Sequence, residues 1–177
     1  MLKAGFPSLR GWRRAMLEAC LVLTLVGGVM LWQARGLPEG DAPPLAGRLL
    51  DGQAADLSGH LRAAGGGPVL VAFWATWCPV CKAEAGNLEA VARDWPTLTV
   101  AMQSGDEATV ARYLRDNGRH FPTLVDGDGG MAGDWGVRGV PTHFVVDGAG
   151  RVRFRVVGYA TEPGLRARLW WARRFAD

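Results

Sequence analysis

The run Val69-Leu70-Val71-Ala72-Phe73-Trp74 constrains the fold of this chain more than any other stretch, because both sides of its alternation are apolar. A strand buried on both faces belongs in the middle of a sheet covered by helices. Trp77-Cys78-Pro79-Val80-Cys81 follows at once. Pro79 suits the first position of a helix, where its missing N–H costs nothing. Val80, Leu88, Val91 and Ala92 then recur at helical spacing until Trp95-Pro96. Two cysteines at such a junction can close into a disulfide and reopen, so they read as a redox dithiol before they read as a staple.

Downstream, residues 98–102 read as a second buried strand. Residues 106–117 read as an amphipathic helix with Val110, Tyr113 and Leu114 on one side and Gly118 as its stop. A third strand is expected at 121–125, then a glycine-rich loop at 126–130 and a short helix through Trp135. Residues 142–146 and 152–157 flank Asp147-Gly148-Ala149-Gly150 as a hairpin. A last helix runs from Thr161 towards Phe175, with Leu165, Leu169 and Trp170 as its sheet-facing candidates. Upstream, 45–50 and 54–57 around Asp51-Gly52 suggest a short hairpin, with Ser58 capping a turn that reaches Arg62. Helical crossovers imply parallel strands and the late hairpin adds antiparallel ones, so the expected class is α/β with a mixed sheet.

Ahead of this domain, residues 19–34 carry no charge, and with 15–17 the apolar stretch reaches the ~20 residues that a bilayer core requires. Trp12 and Trp32 would stand ~30 Å apart in a helix, each placed for one interface. Lys3, Arg10, Arg13 and Arg14 precede the stretch without an acid, which holds the N-terminus in the cytoplasm. The expected organisation is a basic cytoplasmic tail at 1–14, a single transmembrane helix at 15–34, a Pro/Gly linker at 35–47 and the folded domain at 48–177. That places the chain in a bacterial inner membrane as a single-pass protein with its domain in the periplasm. A cleaved signal is the competing reading, with only a poor cleavage site at 29–34.

The net charge of +3 and the pI of 9.1 come from the tail. Four of the 20 basic residues and one of the 17 acidic ones precede Arg35, leaving 16 of each in the body. That balance gives no reason to expect nucleic acid as a partner. Cys20 falls within the apolar segment and reads as a small filler. One remaining pair is too few for a disulfide-stapled scaffold. Lys82 occupies the place where haem attachment needs histidine, and no second pair completes a structural zinc site. No metal is expected, and no cofactor beyond a redox-active Cys78–Cys81 disulfide.

Phe73-Trp74-Ala75-Thr76-Trp77-Cys78-Pro79-Val80-Cys81, with Gly139-Val140-Pro141-Thr142 before the hairpin, resembles the thioredoxin superfamily. Within it the chain is similar to the membrane-anchored, exported branch of the TlpA, ResA and DsbE proteins. Residues 100–105, 135–142 and 157–159 resemble the ScsD-type protein disulfide oxidoreductases, associated with resistance to copper stress. The resemblance covers Leu45 to the C-terminus and implies a thioredoxin-like fold, a central mixed β-sheet flanked by helices.

On that resemblance Cys78 stands at a helix N-terminus, where unpaired N–H groups and the helix dipole stabilise a thiolate, and it is the attacking nucleophile. Cys81 is then the resolving thiol, which displaces the partner from the mixed disulfide. Glu84 resembles the glutamate that follows the second cysteine in this branch. Ala72 stands where the cytosolic thioredoxins carry a buried aspartate, so Glu84 is the candidate proton relay, a solvated helix carboxylate being the alternative. Pro141 matches the superfamily's cis-proline, which lies against the dithiol and leaves the Val140 backbone open to an extended substrate. Trp77, Pro79 and Val80 complete the substrate-binding set, while Trp74 either packs around the site or belongs wholly to the core. His143, two residues after Pro141, invites a metal or catalytic role, but its place in an alternating strand speaks against both. His60 and His120 fall in loops.

These readings converge on a membrane-anchored thiol–disulfide oxidoreductase that reduces disulfides of exported proteins, in copper stress or cytochrome c maturation, with electrons from a DsbD-like transmembrane donor. An oxidase or isomerase is the alternative within the class. Outside it stands a Cu(I)-binding chaperone using the same cysteines, since thiolates suit Cu(I).

Overall fold

Val69–Trp74 (β4) is the central strand, all six residues buried, in a computed structural model that describes residues 37–175 together with 12, 16–22, 24, 25 and 28. It pairs in parallel with Thr97–Met102 (β5), which pairs in parallel with Thr123–Asp126 (β6). On its other side it meets Thr142–Val146 (β7) antiparallel, and β7 meets Arg151–Val157 (β8) antiparallel. Gly40–Asp41 (β1) adds to the far edge, giving the order β1-β8-β7-β4-β5-β6. Ala46–Arg48 (β2) and Ala54–Asp56 (β3) form a separate hairpin, tied to the β6 edge by a bridge between Leu49 and Leu124.

The domain's described helices are Leu57–Ala63 (α1), Pro79–Ala92 (α2), Glu107–Asp116 (α3), Gly130–Asp134 (α4) and Glu162–Phe175 (α5). As crossovers within one parallel run, α2 and α3 lie on the same side of the sheet. There Leu88, Val91, Val110 and Leu114, with Leu165 and Leu169 of α5, bury Leu70, Ala72, Trp74, Ala101 and Val145. The opposite face is closed by α1, α4 and the N-terminal segment, around a fully buried Trp135 whose ring packs on Phe73 and Phe144. The turn between β7 and β8 is held by Asp147, whose Oδ1 accepts from Ala149 N at 3.0 Å and Arg151 N at 2.9 Å. It sits so close to Gly66 that any side chain at Gly148 would overlap the Gly66 carbonyl.

Several expectations are corrected. The stretch read as a tether supplies β1 and buries Leu37 and Leu45 in the core. Asp56, not Ser58, caps α1, its Oδ1 accepting from Gly59 N at 2.6 Å, and the turn is a helix of seven residues. Asp126 ends a strand rather than opening a loop, because its buried carboxylate accepts from Met131 N and Ala132 N and anchors α4. On α5 the third inward residue is Ala172, while Trp170 is exposed, one position off the stripe set by Leu165 and Leu169. The single-pass inner-membrane localisation, with a cytoplasmic N-terminus and a periplasmic domain, is overturned: among the described residues no helix is long and apolar enough to cross a membrane. A span needs about 20 residues, and the described helical run 16–22 includes Glu18; of the other residues of 15–34 only 24, 25 and 28 are described. Cys20 is a free, exposed cysteine.

Candidate active site

Cys78 is the N-cap of α2, with Pro79 in the first turn. Its extended backbone lets the sulfur turn back over the helix start, where Sγ accepts the N–H of Cys81 at 3.1 Å. No acidic residue occupies that first turn, so the positive end of the helix dipole faces the sulfur unopposed. Cys78 and Cys81 form a disulfide with their Cα atoms 5.3 Å apart. Across the site the Val140–Pro141 peptide bond is cis, and the Val140 carbonyl oxygen lies 3.5 Å from Cys78 Sγ. That loop is pinned at both ends: Gly158 N–H donates to Pro141 O at 2.8 Å and Thr142 Oγ1 to Gly139 O at 2.8 Å.

Both cysteines are buried, yet the chain around them is apolar and open, with Trp77 58% and Val80 43% exposed and Pro79 exposed between the cysteines. Trp77 is steadied by its indole N–H, which donates to Gln103 O at 3.0 Å. Gln103 holds that carbonyl from a left-handed backbone, φ 46°, a conformation rare for a side-chain-bearing residue. Ser104 next to it accepts from Thr76 N at 3.0 Å, so the loop after β5 braces the turn that presents Cys78.

Behind the disulfide, Glu84 is 2% exposed and one turn beyond Cys81 on α2. Its Oε2 accepts from Ala160 N at 2.7 Å, and its Oε1 stands 2.7 Å from Nε2 of His143, itself 1% exposed. Glu84 and Cys81 line one cavity of about 110 Å³ with Trp74, Lys82, Tyr113, Asn117 and Arg119. Trp74 is both core and wall: its indole N–H donates to Thr99 Oγ1 at 3.1 Å and its ring packs on Tyr113 and Phe121. Burial pushes the Tyr113 phenol above its ordinary pKa, with Arg119 pulling the other way.

The structure thus gathers Cys78, Cys81, Trp77, Pro79, Val80, Val140 and Pro141 around one disulfide and puts Glu84 beneath it, buried rather than solvated. The sequence reading weighed a metal or catalytic role for His143 and set it aside on the alternation of its strand. Every residue of β7 is buried, so alternation carried no information there. The usable signal was the need of any polar residue in a doubly covered strand for a partner. Among the described residues no group of three or more His, Cys, Asp and Glu side chains is arranged to hold a metal.

The chain is similar to known proteins in sequence and in fold. The AhpC/TSA family matches residues 39–155. The chain is 30% identical over 171 residues to thiol:disulfide interchange protein DsbE of Escherichia coli (strain K12), covering 89% of this chain and 90% of that one. The DsbE homolog of Paracoccus denitrificans is 32% identical over 159 residues, 88% of this chain and 79% of its own. Among solved structures, a thioredoxin-family thiol:disulfide interchange protein from Chlorobium tepidum TLS superposes with a TM-score of 0.63 at 26% identity, over 76% of this chain and 97% of that chain. The fold is thioredoxin-like, and a reversible dithiol is the chemistry its junction of β4 and α2 can perform. By sequence, fold and chemistry alike, the chain belongs to the AhpC/TSA family, beside the DsbE-like thiol:disulfide interchange proteins, and is a thiol–disulfide oxidoreductase.

Proposed function

We propose that the chain reduces disulfides in exported, cysteine-containing proteins, with Cys78 as nucleophile and Cys81 as resolving thiol. The observation that carries this reading is the placement of Cys78 Sγ: at the N-cap of α2, on an apolar rim, and 3.5 Å from the Val140 carbonyl oxygen. An extended substrate laid along Val140 brings its own sulfur to that point by backbone pairing, with Trp77, Pro79 and Val80 giving apolar contact. In the reduced protein the Cys78 thiolate attacks the substrate disulfide and one substrate sulfur leaves with its electron pair. Cys81 loses a proton to Glu84 and attacks Cys78, closing the internal disulfide and releasing the second substrate sulfur. Two electrons pass from the dithiol to the substrate.

The reducing direction is supported by the residues between the cysteines. A strong oxidant must stabilise its reduced form, yet Pro79 and Val80 bring neither charge nor side-chain hydrogen bonds to Cys78. Likeness to DsbE proteins and the ScsD-type stretches support electrons from a DsbD-like dithiol donor and substrates in cytochrome c maturation or copper handling. The test is trapping with a disulfide-bonded protein. Cys81→Ser should accumulate a mixed disulfide through Cys78, and Cys78→Ser should form none. Equal trapping by both variants would reject the assigned roles.

A further inference from the structure

His143 has no part in the steps above, yet it is an almost fully buried imidazole at the heart of the site. Its Nε2 lies 2.7 Å from Glu84 Oε1 but off the line of a ring N–H, and neither ring nitrogen has an aligned hydrogen bond among the described residues. A buried polar ring left in that state is costly to keep. Its cross-strand neighbour on β4 is Ala72, which belongs to the buried cluster containing both cysteines and offers only a methyl group. Among the described residues the ionisable group paired with His143 is the carboxylate that shares a cavity with Cys81.

Resting on the exchange reading, we infer that Glu84 and His143 act as one proton-accepting couple for Cys81, with His143 as the residue that positions Glu84 and shares its proton. When the mixed disulfide is resolved, Cys81 Sγ–H gives its proton to the carboxylate and the sulfur bonds to Cys78 Sγ. The bond from Cys78 to the partner sulfur breaks, and its electron pair leaves on that sulfur, which takes a proton from solvent. The imidazole shares the arriving proton across the 2.7 Å contact, so the couple holds it as an ion pair or as a neutral acid. The proton returns to Cys81 when a dithiol donor reduces the internal disulfide.

Few other groups compete for that role. From α2 come Cys78, Cys81 and Lys82, the last exposed but also lining the cavity. β4 contributes none. On α5, Arg166 is engaged by Asp94 and Glu162, and on β8 Arg153 and Arg155 are engaged by Asp147 and Glu39. Tyr113 and Arg119 also line the cavity, and the Tyr159 hydroxyl accepts from Asn87 Nδ2.

The test is single-turnover reaction of the reduced full-length protein carrying Cys20→Ser, which removes the free exposed cysteine, with dithiobis(nitrobenzoate), which releases one coloured thiolate when Cys78 attacks and a second when Cys81 resolves. The nitrobenzoate thiolate leaves easily, so deprotonation of Cys81 limits the second phase. His143→Gln keeps a donor where Nε2 stood but cannot take up a proton. It should leave the first phase unchanged and slow the second about 10- to 100-fold near neutral pH, with the loss vanishing as pH rises and Cys81 ionises unaided. His143→Leu should do the same; if it folds poorly, His143→Gln alone decides. A second phase in His143→Gln equal to wild type, or slowed equally at every pH, overturns the couple and leaves a packing role. Absence of the first phase in wild type would instead reject Cys78 as nucleophile, so the two failures are distinct.

Discussion

Truncation of Glu84 is the most informative stability perturbation, because two buried groups depend on one carboxylate. Glu84→Ala strips the acceptor from Ala160 N–H, bonded at 2.7 Å, and takes away the carboxylate oxygen that stands 2.7 Å from Nε2 of the buried His143. A hydrogen bond to a charged acceptor contributes about 1.5–3 kcal/mol, and breaking a buried charge pair from one side costs about 3–5 kcal/mol. The two losses share one desolvation, so they do not add, and the expected cost is ~3–5 kcal/mol. Glu84→Gln keeps a side-chain oxygen for Ala160 and gives up only the charge, for about 1–2 kcal/mol. Urea unfolding followed by tryptophan fluorescence separates the cases. With a denaturant slope of ~2 kcal/mol per molar, the alanine variant should unfold about 2 M earlier than wild type and the glutamine variant under ~1 M earlier. An alanine variant within ~1 kcal/mol of wild type would refute the reasoning, since that is how a solvated carboxylate behaves.

Asp147→Asn should cost about 1–3 kcal/mol at neutral pH by weakening the turn between β7 and β8. Burial pushes the Asp147 carboxyl up, but the N–H groups of Arg151 and Ala149 and the Arg153 guanidinium outweigh it and hold it below its ordinary value. A depressed carboxyl contributes stability above its unfolded pKa of ~3.9 that is lost as pH falls through the folded value. The gap between wild type and Asp147→Asn should therefore narrow below about pH 4, measured by thermal melts across pH; a constant gap would contradict it. Trp135→Ala empties the centre of the α4 face and should cost ~3–5 kcal/mol in urea unfolding. Trp77→Ala removes a largely exposed ring and should change stability by under ~1 kcal/mol while slowing reduction of a disulfide-bonded protein more than that of a small aromatic disulfide.

Legibility in the sequence followed the reach of each determinant. β4 declared itself because six apolar residues in a row leave no other place for a strand, and Pro79 after Cys78 marked the helix start without tertiary information. Asp147-Gly148-Ala149-Gly150 was equally local. What escaped was set by partners distant in sequence. Gly40–Asp41 pairs only because β8 offers an edge more than a hundred residues later, and Asp126 looked like a turn residue because its ligands are backbone N–H groups of a helix not yet formed. Asp56 and Ser58 compete for one cap, and the choice depends on where the β2–β3 hairpin ends. Within the site, the cysteines stood out by residue type, and the Val140-Pro141 turn by its resemblance to the thioredoxin superfamily. The contact of Glu84 with His143 joins α2 to β7 over a sheet register that sequence alone does not supply.

The central claim is that the Cys78–Cys81 dithiol donates electrons, and its equilibrium reduction potential tests that claim most directly. Titration of the pair against a dithiothreitol or glutathione couple should place it near the ~−270 mV of thioredoxin, as uncharged Pro79 and Val80 and the DsbE likeness imply. A value approaching the ~−120 mV of DsbA would make the protein an oxidant and contradict the account.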